Sequence, residues 1–240
     1  MELIWESIRE AVRLLFDMDP YTVGVILLSL RVSGMAVLIG LVIGVPAGIT
    51  LGLHRFRGRQ VLMAIVNTGL GLPPVVVGLF VYMMLSRRGP LGGLDWLFTV
   101  PAMLMAQIIL ATPYIIAITT SAVASIPRDF RLQALGLGAS RWQSVWIVVK
   151  EARLSIMTAV IAGFGAAISE VGAVMMVGGN IATTDGNRTR VLTTAILLET
   201  RKGDFPKAMA FGMVLMLLVF VMVLLLTRMQ EGSGGRWVQS

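Results

Sequence analysis

Cysteine is absent from all 240 residues, and histidine occurs once, at His54. No disulfide framework, thiolate metal site or thiol nucleophile can be built without cysteine. One histidine also excludes any metal site that needs a pair of them. Charge is scarce: Asp, Glu, Lys and Arg make up 14% of the chain, against about 25% in a soluble domain. With 56% hydrophobic residues and a mean hydropathy of +0.84, a soluble globular enzyme is close to excluded. No G-x-x-x-x-G-K-[ST] segment is present to cradle nucleotide phosphates, and H-E-x-x-H is impossible. His54 sits beside Arg55 and Arg57, where it reads as a solvated loop residue and not as a base for a serine nucleophile. Acids are outnumbered, giving a net charge of +7. In so apolar a chain, that excess points to loops beside an anionic membrane face and not to nucleic acid.

Long hydrophobic runs are what the chain has in abundance. A spanning helix needs roughly 20 mostly apolar residues. Five segments meet that length: Val23–Leu53, Val61–Leu85, Pro101–Ala124, Ser155–Gly178 and Pro206–Thr227. A sixth, Val191–Leu198, is too short to cross and is expected to lie on the surface or re-enter. Residues 1–22 carry five acids and no basic start, so they read as an interfacial amphipathic helix and not as a secretory leader. Its apolar positions are Leu3, Ile4, Ile8, Val12 and Leu15. The expected organisation is this helix, a membrane domain over 23–227 containing a loop at 125–153, and a tail over 228–240. Five crossings place the termini on opposite sides. Lysine and arginine divide almost evenly between the two sides, so they do not orient the chain. The uneven net charge favours a cytoplasmic 125–153 loop and C-terminus with an external N-terminus.

Small residues mark the packing faces. Ala36, Gly40, Gly44, Gly48 and Gly52 recur every four residues, and Ala159, Gly163 and Ala167 repeat the device. Such grooves let helices approach closely in lipid, whether within one subunit or between two. Pro46 interrupts the first run, and Pro73 and Pro74 interrupt the second more strongly. Irregular backbone at membrane depth survives only when buried in protein or lining water. The segment 67–74 is therefore either a pathway element or a simple kink. Arg31 and Glu170 are charges inside spans, expensive unless paired or hydrated. Glu170 is expected to find a partner in Arg31 or Ser169, as a structural clamp or as part of a pathway.

The 125–153 loop is unusual. Ser125 can cap a helix with Pro127 and Asp129 in its first turn, and Gly136 and Gly138 then end it. Ser140 can cap a second helix with Trp142, Val145, Trp146 and Val149 on its apolar side. Two short helices joined at a glycine make a rigid knuckle, suited to docking a partner and transmitting a push. This loop resembles the EAA loop of binding-protein-dependent ABC importer permeases. That pattern runs E-A-A, three residues, G, nine residues, then I-x-L-P. Ala134 and Gly138 match it. Leu132 replaces the glutamate, Gln133 the first alanine, and Val148-Val149-Lys150-Glu151 the I-x-L-P. Ser29–Gly34, Gly71–Val75, Lys150–Arg153 and Ile168–Ala173 are similar to the oxyanion branch. Val177–Ile181 with Thr189–Ala195 is most similar to tungstate permeases, and molybdate and sulfate permeases share several of these features.

The resemblance implies an all-α polytopic membrane protein of the type I importer permease (MetI-like) fold, with no catalytic, metal or cofactor site of its own. It implies a homodimer, two cytoplasmic ATPase subunits that bind ATP and Mg, and an extracytoplasmic oxyanion-binding protein, in a bacterial or archaeal cytoplasmic membrane. Pro127, Asp129, Phe130, Leu132, Ala134, Leu135, Gly138 and Ala139 would meet the ATPase. Arg31, Pro73, Pro74, Ser169, Glu170 and Asn180 are candidates for the pathway or a structural clamp. Arg188, Arg190, Arg201 and Lys202 are candidates for steering an anion or docking the binding protein, with ordinary solvated charge as the plain alternative. A stand-alone channel, an ion-driven carrier or a membrane anchor would not need the exposed knuckle.

Overall fold

The computed structural model describes residues 2–16, 20–183, 186–187 and 189–234, with side chains at 5–14, 20–182 and 189–230. Backbone amides in an apolar medium must bond internally, so the apolar runs become helices. Helix α1 spans Glu2–Phe16 and α2 Pro20–Leu53. At 34 residues, α2 is about 50 Å long. Helices α3 (Arg59–Leu70) and α4 (Pro74–Leu85) follow, then α5 (Val100–Ala124). The knuckle comprises α6 (Arg128–Gly136) and α7 (Arg141–Glu151). Helices α8 (Arg153–Ile168) and α9 (Gly172–Gly178) lead into a small hairpin, β1 (Ala182–Thr183) against β2 (Gly186–Asn187). Helices α10 (Leu192–Lys202) and α11 (Phe205–Gly234) complete the described chain. Among the described residues the architecture is all-α apart from that hairpin.

The five expected spans are not five straight helices. Among the described residues, only α2, α5 and the Phe205–Gln230 part of α11 are long and apolar enough to cross alone. The second run breaks between α3 and α4 with a bend of 104°, and the fourth between α8 and α9 with a bend of 57°. At the first break, Pro73 is extended and heads α4, because proline has no N–H and excludes helix behind it. The Tyr114 hydroxyl donates to the freed Leu70 carbonyl at 3.2 Å.

The centre of the bundle is α5. A Cβ on Gly44 would lie 2.8 Å from Ile115 Cγ2, on Gly48 2.6 Å from Thr119 Cβ, and on Gly52 2.8 Å from Val123 Cβ. Gly163 of α8 meets Ile115 from another side. The small-residue stripes thus serve packing inside one chain, and at Gly44, Gly48 and Gly52 the helices lie closer than a Cβ would allow without a shift. Pro46 leaves α2 continuous.

Helix α1 turns Ser7 and Ala11 inward, with the Ser7 hydroxyl facing Met209 of α11. Trp5, Ile8 and Val12 stay exposed as an apolar stripe, which suits an interfacial helix. The side chains of Leu3, Ile4 and Leu15 lie outside the described residues. Helix α10 is not a surface segment: Leu192 and Ala195 are buried against Val25 of α2 and Phe211 of α11.

Candidate functional site

The knuckle forms as local chemistry dictates. Gly138 takes φ +91°, a backbone that L side chains rarely adopt. The Ala139 N–H then donates back to Ala134 O and the Gly138 N–H to Leu135 O, each at 3.0 Å, closing α6. Ser140 opens α7 with a reciprocal cap: Gln143 N–H to Ser140 Oγ, and Ser140 N–H to Gln143 Oε1 at 2.7 Å. No residue of α6 is buried, and Leu137 at the tip is 90% exposed. Phe130, Leu132 and Leu137 therefore present an apolar surface to solvent. A groove of about 910 Å³ runs between α6 and α7, lined by Phe130, Ala134, Leu137, Gly138, Trp142 and Trp146 among others.

Two details differ from the sequence reading. Ser125 does not cap α6. Its hydroxyl donates to Ala122 O and ends α5, while Pro127 is the residue before the first helical one. Asp129 does lie in the first turn of α6. Trp142 and Trp146 are exposed, and Ser144 and Val148 form the buried side of α7. Val148, 1% exposed, packs with Ala122 and Val123 of α5, Ala152, and the Ile49 and Leu53 end of α2. The projecting helix α6 is thus hinged on α7, which is seated in the ends of two spans.

The two intramembrane breaks meet. A Cβ on Gly172 would fall 2.8 Å from Val75 Cγ2, and one on Gly78 2.7 Å from Ala173 Cα, so α4 and α9 cross backbone to backbone just past their breaks. Glu170, 7% exposed, accepts from the Ala173 N–H at 2.9 Å, and its carbonyl accepts from Thr193 Oγ1 at 3.0 Å. Neither Arg31 nor Ser169 is its partner. The Ser169 hydroxyl turns back to Gly165 O. Arg31 is exposed on α2, in a stripe with Leu27, Met35, Leu38 and Val42, and has no bond or ion pair among the described residues. Glu170 thus satisfies a backbone N–H in the first turn of α9. Ser29 completes the knot, accepting from the Leu192 N–H at 2.8 Å.

At the end of the bundle opposite the knuckle, Arg190 is fully engaged. Its Nε and Nη2 donate to Asn180 Oδ1 and O, and its Nη1 to Tyr21 Oη at 2.9 Å, with the guanidinium over the Tyr21 ring. Asn180, in a left-handed conformation (φ 52°), is the clamp's other half. Arg190 thereby ties Asn180 to Tyr21 of α2. Lys202 pairs at 3.0 Å with Glu199, a nearly buried acid that the sequence reading missed. Arg201 is exposed, and Arg188 lies outside the described residues. Tyr21 and Thr193 were missed because their partners lie 169 and 23 positions away; the Glu199–Lys202 pair is only three residues apart, and that spacing was the available signal.

A two-helix knuckle projecting from the ends of spans is the arrangement the EAA resemblance implies. A family model described as "binding-protein-dependent transport system inner membrane component" matches residues 44–232. The chain belongs to that family. It is the membrane-embedded permease subunit of an ABC importer and not an enzyme. The permease is 43% identical over 217 residues to a probable anion ABC transporter permease of Haloferax volcanii, covering 90% of this chain and 94% of that one. It is 38% identical over 233 residues to a tungstate uptake system permease of Peptoclostridium acidaminophilum, covering 96% and 100%. Among solved structures, the MetNI methionine ABC transporter superposes with a TM-score of 0.73 at 19% identity, covering 90% of this chain and 98% of that one. An alginate importer superposes at 0.70 and 20% identity, covering 88% and 79%. At these identities the two structures establish the fold alone, and that fold is the MetI-like one anticipated from the loop.

Proposed function

We propose that the permease carries tungstate inward as a homodimer, with an ATPase subunit docked on each 125–153 loop and a binding protein delivering the anion to the opposite face. The observation that carries the coupling role is the projecting α6, none of whose residues is buried, held by the Gly138 turn on an α7 whose Val148 is buried in the ends of α2 and α5. A push on α6 reaches the spans through that seat. Leu132, where the family has glutamate, offers apolar contact in place of an acid. The assignment of tungstate is supported by the tungstate uptake permeases of Peptoclostridium acidaminophilum and Campylobacter jejuni, at 38% and 34% identity. Molybdate and sulfate permeases are more distant, at 29% and 25%.

Loop 125–153 and the C-terminus then face the cytoplasm, where the partner ATPases bind ATP and Mg, and α1 lies at the outer face. Arg31 is the proposed pathway cation: a charge on a lipid-facing stripe is costly, whereas one facing a dianion's path or a second copy is not. The crossing at Pro73–Pro74 and Ser169–Glu170 supplies the irregular backbone beside that path. Arg201 and Lys202 sit at the outer mouth, where they attract an anion or an acidic partner. The test is tungstate uptake into proteoliposomes holding the permease, the ATPase and the binding protein. Uptake should require ATP and exceed that of molybdate and sulfate, and Arg31→Gln should reduce it while ATPase docking stays intact. Nucleotide-independent uptake would overturn the coupling role, and preferred sulfate uptake the assignment of tungstate.

A further inference from the structure

Beneath α6, on the side away from the apolar groove, a cavity of about 290 Å³ is lined by Arg55, Arg128 and Arg131, with Gly52 and Leu53 ending α2 and Val123 and Ala124 ending α5. Arg128 and Arg131 are three residues apart on one face of α6, and that face turns toward the span ends. An adjoining cavity of about 570 Å³ shares Gly52, Arg55 and Ala124 and adds Arg57 and Arg59. No acidic residue lines either cavity among the described residues. Arg59 donates Nε to Leu51 O at 2.8 Å, capping the end of α2. Arg55, Arg128 and Arg131 have no hydrogen bond or ion pair among the described residues, and Arg131 Nε is enclosed without a partner. Two helix C-termini bring roughly one negative charge between them. Set against three guanidinium groups, this leaves an uncompensated charge of about +2 in a pocket at the level where spans leave the bilayer.

We propose that this pocket binds a phosphate-type oxyanion, supplied either by the headgroup of an acidic phospholipid or by a free tetrahedral anion. Guanidinium forks match such oxygens in geometry, and basic pockets between span ends are a recognised seat for anionic headgroups. A bound anion bridges Arg55 of the α2–α3 turn to Arg128 and Arg131 of α6, so it fixes the lever's root against the spans. The inference rests on the proposed cytoplasmic placement only for which leaflet supplies a lipid. It is tested on the isolated chain, so its failure leaves the transport experiment untouched.

The experiment is native mass spectrometry of the full-length purified chain with dioleoylphosphatidylglycerol, with dioleoylphosphatidylcholine as the neutral lipid, and with inorganic phosphate. The variants are Arg55→Gln/Arg131→Gln, a charge-preserving Arg55→Lys/Arg131→Lys, and Arg87→Gln/Arg88→Gln after α4 as a charge-matched control. Each lost cation should weaken anion retention roughly fivefold, and the first pair roughly 25-fold. The lysine pair and the control should stay within a few-fold of the parent. Selective loss of phosphatidylglycerol in the first variant identifies a lipid source. Phosphate binding with no lipid preference, lost in the same variant, identifies a free anion. Equal losses in the first variant and the control, or no preference of the parent for either anion over the neutral lipid, would overturn the proposal.

Discussion

Two glycines two residues apart separate lever geometry from packing. A Cβ added at Gly136 or at Gly138 meets nothing within 4 Å, so neither substitution to alanine incurs a steric penalty from neighbours. Gly136 is helical, and alanine there favours α6 by up to about 1 kcal/mol. Gly138 is at φ +91°, where a Cβ costs about 1–2 kcal/mol. Relaxing that backbone would also give up the Ala139-to-Ala134 and Gly138-to-Leu135 bonds that close α6. Because α6 buries nothing, this cost falls on the angle between α6 and α7 and leaves the bundle intact. If the bent form must be present for docking, 1–2 kcal/mol lowers ATPase affinity about 5- to 30-fold. Titration of the purified permease with its ATPase, alongside ATP-driven uptake, reads that loss. Gly138→Ala should fall by this factor with an unchanged melting temperature, and Gly136→Ala should bind as well as the parent. Indistinguishable variants would refute the lever reasoning, and a lowered melting temperature for Gly138→Ala would show that the turn is a stability element instead.

Three further outcomes follow from other contacts. Gly48→Ala places a Cβ 2.6 Å from Thr119 Cβ and 3.0 Å from the Ile116 carbonyl. It should cost about 1–3 kcal/mol and lower the melting temperature in detergent, whereas Gly34→Ala, with nothing within 4 Å, should not; equal melting would contradict the close packing of α2 on α5. Arg190→Lys keeps the charge but loses the fork to Asn180 and Tyr21, so hydrogen exchange over 179–191 should rise; unchanged exchange would dismiss the clamp. Glu170→Gln retains an acceptor for the Ala173 N–H, while Glu170→Ala leaves a buried donor unpaired at about 1–3 kcal/mol. Melting should rank the parent first, glutamine next and alanine last, and the reverse order of the two variants would remove the capping role.

Composition and pattern alone determined that the chain lives in a membrane, where the apolar runs begin and end, and that two helices meet at Gly138. These are local properties: run length against bilayer thickness, proline and glycine against backbone geometry, a serine against its own third residue. The family resemblance was legible for the same reason, since the EAA pattern is a single contiguous stretch. Tertiary structure decided which side of α7 is buried, because two exposed tryptophans outweigh Ser144 and Val148 in any periodicity. It decided that the glycine stripe packs within the chain, since a small face does not name its partner. It gave Glu170 a backbone N–H in place of Arg31, and it gave Arg190 the partners Tyr21 and Asn180. Polar groups taken from water must find partners, and some of these are remote: Arg190 and Tyr21 are 169 positions apart in the chain. Only folding brings such positions together.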